Sequence, residues 1–270
     1  MTDAAQPSAS FNRPLPVAKA PAHWLMARLG KRVLRPGGIE TTRWLLEHAT
    51  IGPEDDVVEL APGLGWTARR ILASKPGSYV GVERDEEAAR VAERACQPDG
   101  GRIVVGDAAR VPLEDGSATV VIGEAMLSMQ PDHKKDAIVA EARRLLRPGG
   151  RYAIHELAVV PDDVDEALLS HIQRDLSQAI HVGVRIGTVP RWRAWLGTHG
   201  LEVEALATTP MRLLEPDRLI RDEGAIGAAR FAANALRTPG ALRRLRTLRA
   251  TFRRHQPHLR AVALVARRTA

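Results

Sequence analysis

Three acids each stand at or just beyond the end of an apolar run. Glu59 follows Val57-Val58, Glu83 follows Tyr79-Val80-Gly81-Val82, and Asp107 follows Ile103-Val104-Val105-Gly106. Short apolar runs of this kind form buried parallel strands, so each carboxylate is carried to a strand's C-terminal end, where open α/β sheets hold ligands. The first run continues into Leu60-Ala61-Pro62-Gly63-Leu64-Gly65-Trp66-Thr67-Ala68, a tight turn followed by residues that can start a helix. Gly63 and Gly65 let the backbone turn and approach a ligand, and the helix start aims free N–H groups at the same place. Glu83 lies twenty residues after Gly63, the spacing at which a carboxylate meets ribose hydroxyls. Asp107 can accept from an exocyclic amine of adenine. Arg84 and Ala108, next in the chain to these acids, fall on the same edge, so the set describes a pocket for a nucleotide-like cofactor.

A second group of residues could move protons. Glu124 ends the run Val120-Val121-Ile122-Gly123, and His155 and Glu156 sit in Ile154-His155-Glu156-Leu157. Alternation along a strand sends His155 and Glu156 to opposite faces, so at most one enters the pocket directly. His155 ranks first as a general base and Glu124 second.

The elements that must position these groups alternate. Strands are expected at about 56–60, 78–83, 102–106, 118–123 and 151–157, and helices at about 66–74, 85–96, 133–146 and 161–181, which describes a parallel sheet covered on both faces. A further helix at 191–199 ends at Gly200, and strands at 201–206 and 259–265 follow. Ahead of the first strand, residues 21–50 read as two short helices broken at Pro36-Gly37-Gly38.

Gly63-Leu64-Gly65-Trp66-Thr67-Ala68 also fits the dinucleotide fingerprint, so a nicotinamide oxidoreductase is an alternative. The wider pattern resembles the class I S-adenosylmethionine-dependent methyltransferases, in their small-molecule, UbiE-like (type 11) branch. Glu59-Leu60-Ala61-Pro62-Gly63-Leu64-Gly65 looks like that family's cofactor loop, Glu83 its ribose acid and Asp107 its adenine-proximal acid. Val120 to Ala125 resembles the fourth strand, and Arg144-Leu145-Leu146-Arg147-Pro148-Gly149-Gly150 the entry to the fifth. Ala61-Pro62 stands where a family glycine is usual, and Glu59 replaces the commoner Asp. The resemblance implies a Rossmann-like, seven-stranded, mostly parallel sheet whose last two strands form an antiparallel edge pair. It also implies S-adenosylmethionine held by Gly37, Glu59, Ala61, Pro62, Gly63, Gly65, Glu83, Arg84, Asp107, Ala108 and Glu124, with an N-terminal helix closing over it. The expected reaction is in-line methyl transfer to a small, partly hydrophobic organic acceptor. The competing classes are a non-catalytic cofactor-binding protein and an RNA methyltransferase.

The chain of 270 residues, 44% hydrophobic, suits one α/β domain at 51–270 with appendages. Residues 1–20, rich in Ala, Pro and Ser, are expected to be disordered. The single cysteine, Cys96, excludes a disulfide framework and a thiolate metal cluster, and no metal is expected. No signal-peptide core occurs and no apolar run approaches the ~20 residues of a membrane span, which points to the cytoplasm.

A helical insertion is expected at about 213–258, before the last strand. Leu242, Leu245, Leu248 and Phe252 make an apolar stripe among arginines, and eleven arginines but no acid follow Glu223. Three readings suit this segment: a core-packed helix whose arginines face solvent or pair with acids, a surface for nucleic acid or an anionic membrane, or a lid clamping an acidic substrate. The first is favoured. The insertion could also furnish a homodimer contact.

Overall fold

The computed structural model describes residues 15–269. Most of the segment expected to lack order, 1–14, lies outside the described residues; residues 15–20 form a turn that buries Ala20 completely. Two short helices follow, α1 (Ala22–Arg28) and α2 (Gly38–Ala49), separated at the Pro36-Gly37-Gly38 break.

The alternating pattern then runs β1 (Asp56–Leu60), α3 (Trp66–Ala73), β2 (Ser78–Glu83), α4 (Glu86–Cys96), β3 (Arg102–Val105), β4 (Ala118–Glu124), α5 (Asp132–Leu145), β5 (Leu146–Val159) and α6 (Glu166–Ile180). Asp85 caps α4 by accepting from the N–H groups of Glu87 and Ala88. α6 begins later than the hydrophobic pattern suggests, because Asp165 rather than Pro161 supplies its cap. β6 (Gly187–Thr188), a two-residue strand with no apolar run to announce it, pairs with the end of β5. α7 (Val189–Thr198) and β7 (Leu201–Pro210) precede the insertion, which is two helices, α8 (Pro216–Arg237) and α9 (Ala241–His255), before β8 (Leu259–Arg268).

The sheet order is β3-β2-β1-β4-β5-β8-β7. The first five strands are parallel, and β8 runs antiparallel to both β5 and β7. β1 sits in the middle, so the ends of β1, β2, β3 and β4 open on one edge, where the strand order reverses. That is the place where doubly wound sheets bind ligands.

The insertion is not an appendage. Phe231 and Ala235 of α8 and Leu248 of α9 share one buried cluster with Leu25 and Met26 of α1 and Ile172 and Leu176 of α6. Burying each of the larger side chains is worth roughly 1.5–3 kcal/mol. Three arginines of α9 answer to acids elsewhere: Arg249 and Arg253 both grip Glu215, and Arg254 reaches Asp175. α8 is broken at Gly224, whose φ of 74° and ψ of 165° are not helical. Just before that break, Glu223 accepts from the backbone N–H groups of Arg32 and Val33, each at 2.9 Å, and Asp222 from that of Ile39 at 3.0 Å. The fully buried Lys31 ammonium lies 3.6 Å from both acids.

Candidate active site

A cavity of about 210 Å³ opens under the β1–α3 turn. Ala61, Pro62, Gly63, Glu83, Arg84, Asp107, Ala108 and Glu124 all line it, so the strand-end residues singled out by spacing converge. His23 and Trp24 of α1 also line it, and Met126 and Met129 contribute apolar wall.

The remaining sequence candidates lie just outside the cavity. Glu59 is buried below the turn, where its carboxylate accepts from the Tyr79 hydroxyl at 2.6 Å. Burial drives its pKa up to about 8, against the smaller opposing pull of Tyr79. Gly65 caps α3 with φ 76°, and a Cβ there would press within 3.0 Å of the Ala92 backbone, so glycine at this position permits α3 to pack on α4. Gly37 has no room for any side chain, because a Cβ would overlap Thr41 and crowd Ala261. Its N–H donates to His155 Nε2 at 3.1 Å.

The pKa values of the strand-end acids shift in opposite directions. Burial raises the Glu83 pKa, and the N–H groups of Asp85 and Gly63, at 3.0 and 2.9 Å, offset that only in part. Burial works against Asp107 as well, but the Lys134 ammonium at 2.6 Å and the Ala109 N–H outweigh it and hold its pKa below the ordinary value. Burial, reinforced by the Arg84 charge, brings His23 down to about 4, so its ring is neutral at pH 7.

Glu124 is the hub. Thr67 Oγ1 at 2.7 Å and Arg35 Nη1 at 3.1 Å reach Oε1; Thr42 Oγ1 at 2.6 Å and His155 Nδ1 at 2.9 Å reach Oε2. Burial alone would raise its pKa, but the Arg35 charge and then His155 and Thr42 overcome it and take it down to about 2. Because Gly37 donates to His155 Nε2, that nitrogen accepts, and the ring proton must sit on Nδ1 facing Glu124. His155 is wholly buried with both nitrogens engaged, so in this arrangement it offers no lone pair to an acceptor. Glu156 points the other way, as alternation requires, and takes the N–H groups of Met126, Leu127 and Ser128.

Arg35 carries a further clue. Its Nη1 is bonded to Thr67 and Glu124 and its guanidinium lies 4.4 Å over the Trp66 ring, yet Nε and Nη2 are buried without a partner. Buried donors left unpaired are costly, and here they belong to a side chain lining a cavity. Arg35 beside Glu124 is complementary to the carboxylate and ammonium of an amino acid, while Glu83 and Asp107 offer acceptors for ribose and adenine. The residues present fit S-adenosylmethionine. Spacing alone did not single out Lys134, Thr42, Thr67, His23 or Trp24; only Trp66, directly after Gly65, carried a local signal.

The methyltransferase domain family matches residues 57–150. An uncharacterized protein of Haemophilus influenzae is 33% identical over 220 residues, 80% of this chain and 85% of that one. The ubiquinone/menaquinone biosynthesis C-methyltransferase UbiE of Paracoccus denitrificans is 31% identical over 154 residues, covering 52% of this chain and 60% of its own length. In three dimensions, the [4+2]-cyclase SpnF superposes with a TM-score of 0.70 over 91% of this chain and 93% of that one, at 15% identity.

Proposed function

The chain belongs to the class I S-adenosylmethionine-dependent methyltransferases, and from that premise we propose that it methylates a small, partly hydrophobic organic acceptor admitted beside Met126 and Met129. The observation that carries the cofactor's placement is the Arg35–Glu124 pair: one cation with two unpaired buried donors, one carboxylate held ionised, both on the cavity wall. Arg35 takes the cofactor's carboxylate, Glu124, whose oxygens already accept from four side chains, attracts its ammonium by charge alone, Glu83 takes the ribose hydroxyls and Asp107 the adenine amine. The bound sulfonium supplies an electrophilic methyl group.

What the protein adds is alignment, and oriented intramolecular reactions gain roughly 7–11 kcal/mol from it. Glu124, with a pKa of about 2, is too weak a base to draw a proton from a hydroxyl. His155 fixes Glu124 rather than touching the acceptor. The reading therefore favours acceptors that bring a ready nucleophile, such as an amine, a thiolate, a carboxylate or a stabilised carbanion.

One observation supports a second reading, a cofactor-binding protein that transfers nothing: both candidate bases are fully engaged. Calorimetric titration with S-adenosylmethionine, S-adenosylhomocysteine and NADH tests the cofactor. Micromolar binding of the two sulfur compounds, lost in Glu83→Ala, is expected; binding of NADH instead would overturn the proposal. Product formation across amine, thiol, phenol and carboxylic acid acceptors then separates transfer from binding alone.

A further inference from the structure

The second half of α8, residues 225–237, has two unlike faces. Ala228, Phe231 and Ala235 point into the core shared with α1, and the Asn234 side chain donates to the Leu29 carbonyl at 3.0 Å. The opposite face carries Ala225, Ile226, Ala229, Ala232 and Leu236, all exposed. Ile226 is 78% exposed and Leu236 70%. At 100° per residue these five fall within one arc, with Arg230 and Arg237 along one edge of it. A solvent-facing helix normally spends this arc on charged pairs, whereas this one is aliphatic. Of the five large hydrophobic side chains exposed among the described residues, three (Ile220, Ile226 and Leu236) are on α8.

The charges that the second half of α8 and the start of α9 carry are all of one sign. No acid follows Glu223 in the chain. Arg230 and Arg237, and Arg243 and Arg246 just after the turn into α9, are exposed and enter no ion pair among the described residues, unlike Arg249, Arg253 and Arg254 of the same insertion. A partner that matched both features would be anionic and apolar. A second copy that met this face with its own would bring the same arginines and no acid to meet them. A nucleic acid would satisfy the arginines but leave Ile226 and Leu236 against phosphate, and the face has no aromatic ring on which a base could stack. An anionic lipid surface supplies both requirements: aliphatic side chains enter the headgroup–acyl boundary while guanidinium groups take lipid phosphates.

We propose that the outer face of α8 is a docking surface for an anionic phospholipid bilayer, on which the protein rests peripherally. The inference is independent of the acceptor and of the chemistry in the cavity, because none of these residues lines it. Among the described residues no helix is long and apolar enough to cross a membrane, and the proposed contact is one in the interface plane.

The test is co-sedimentation of the full chain with vesicles of phosphatidylcholine alone and of phosphatidylcholine with phosphatidylglycerol, at low and high salt. Binding to the anionic vesicles is expected, weakening about tenfold or more when the anionic lipid is omitted or the salt is raised. Ile226→Asp with Leu236→Asp should abolish it, with melting temperature and S-adenosylmethionine affinity unchanged because both side chains are exposed and remote from the cavity. Arg230→Gln with Arg237→Gln should lower affinity severalfold and flatten the salt dependence. No sedimentation with anionic vesicles at low salt would overturn the proposal, as would unchanged binding by the double aspartate variant. Analytical ultracentrifugation covers the other occupant: a dimer that Ile226→Asp splits would assign the face to a second copy. Single-stranded RNA displacing the protein from vesicles at equal phosphate concentration would assign it to nucleic acid.

Discussion

Two buried ion clusters flank the loop at 29–38, and they are built on opposite plans. At one end, Glu124 is oversupplied: four side chains donate to its two oxygens, and the guanidinium beside it still has two idle donors facing a cavity. At the other, Lys31 is undersupplied. Its ammonium is wholly buried, 3.6 Å from each of Asp222 and Glu223, with no hydrogen bond, and burial lowers its pKa despite the two acids. The first cluster has unpaired donors on a side chain that lines the cavity, and the proposed function gives it binding as its job. The second is sealed, and its acids are also spent on backbone N–H groups of residues 32, 33 and 39. It fixes where residues 31–39 sit on the insertion. Buried charge near a pocket is thus not one kind of feature: access and saturation separate a site from a fastening.

Substitutions can break that distinction. The largest effect is expected at the sealed cluster. Glu223→Ala leaves Lys31 half-compensated and strips acceptors from Arg32 and Val33, which should cost about 3–5 kcal/mol, seen as a fall in melting temperature on the order of 10 °C. A loss within a degree or two would mean that the cap is not fastened there. At the open cluster the affinity should suffer most. Arg35→Ala should weaken S-adenosylmethionine by roughly 10–100-fold in calorimetry, the worth of a charge-assisted hydrogen bond, and because it leaves the buried Glu124 without its cation but with three other donors, the ligand-free protein should also melt lower, by less than Glu223→Ala.

A third carboxylate sharpens the comparison through pH. Glu59 has only one donor, and its folded pKa of about 8 lies above its unfolded value. The folded state therefore keeps the proton that the unfolded chain gives up, so this group's contribution is intact below about pH 4.5 and is lost as pH rises to about 8. Glu59→Gln removes that slope and keeps an acceptor for Tyr79. The variant should match the wild type near pH 5 and exceed it at pH 8.5, by a few kcal/mol at most, in melts across that range. Glu124, depressed to about 2, must show the reverse, with its contribution present above about pH 4.5 and fading as pH falls towards 2. The smallest effect belongs to Ala61, which holds φ at 57° in the turn. Ala61→Gly should raise stability by about 0.5–1 kcal/mol, since the left-handed region strains a side chain, with cofactor affinity unchanged.

What the sequence made legible follows the range of the interactions. Strand ends, helix caps and the glycine turn are decided within a few residues, so Glu83, Asp107 and Glu124 could be placed on one edge before any coordinates. The Ala61 departure also makes sense there, because the position demands a left-handed backbone and glycine is the easy solution. Contacts joined across the chain left no local trace. Glu223 meets Arg32 across 191 residues, and Thr42 meets Glu124 across 82. His155 shows the same limit from the other side. Its strand position was readable, but the Gly37 N–H that occupies its second nitrogen was not, so a histidine ranked first as a base proves to be spoken for on both sides.

The position of His23 and Trp24 on the cavity wall has a kinetic consequence. At about 210 Å³ the space is below the roughly 300 Å³ at which ligand pockets usually begin. The loop behind α1 is fastened at residues 31–33, whereas α1 itself is seven residues long with no side-chain cap, and Gly30 at φ 101° stands between the two. Motion of α1 about Gly30 to admit cofactor would have to lift Leu25 and Met26 off α6 and α8. If that motion gates the cavity, the ceiling on turnover is an opening rate, and a rapid first turnover followed by a slower steady state would be its signature.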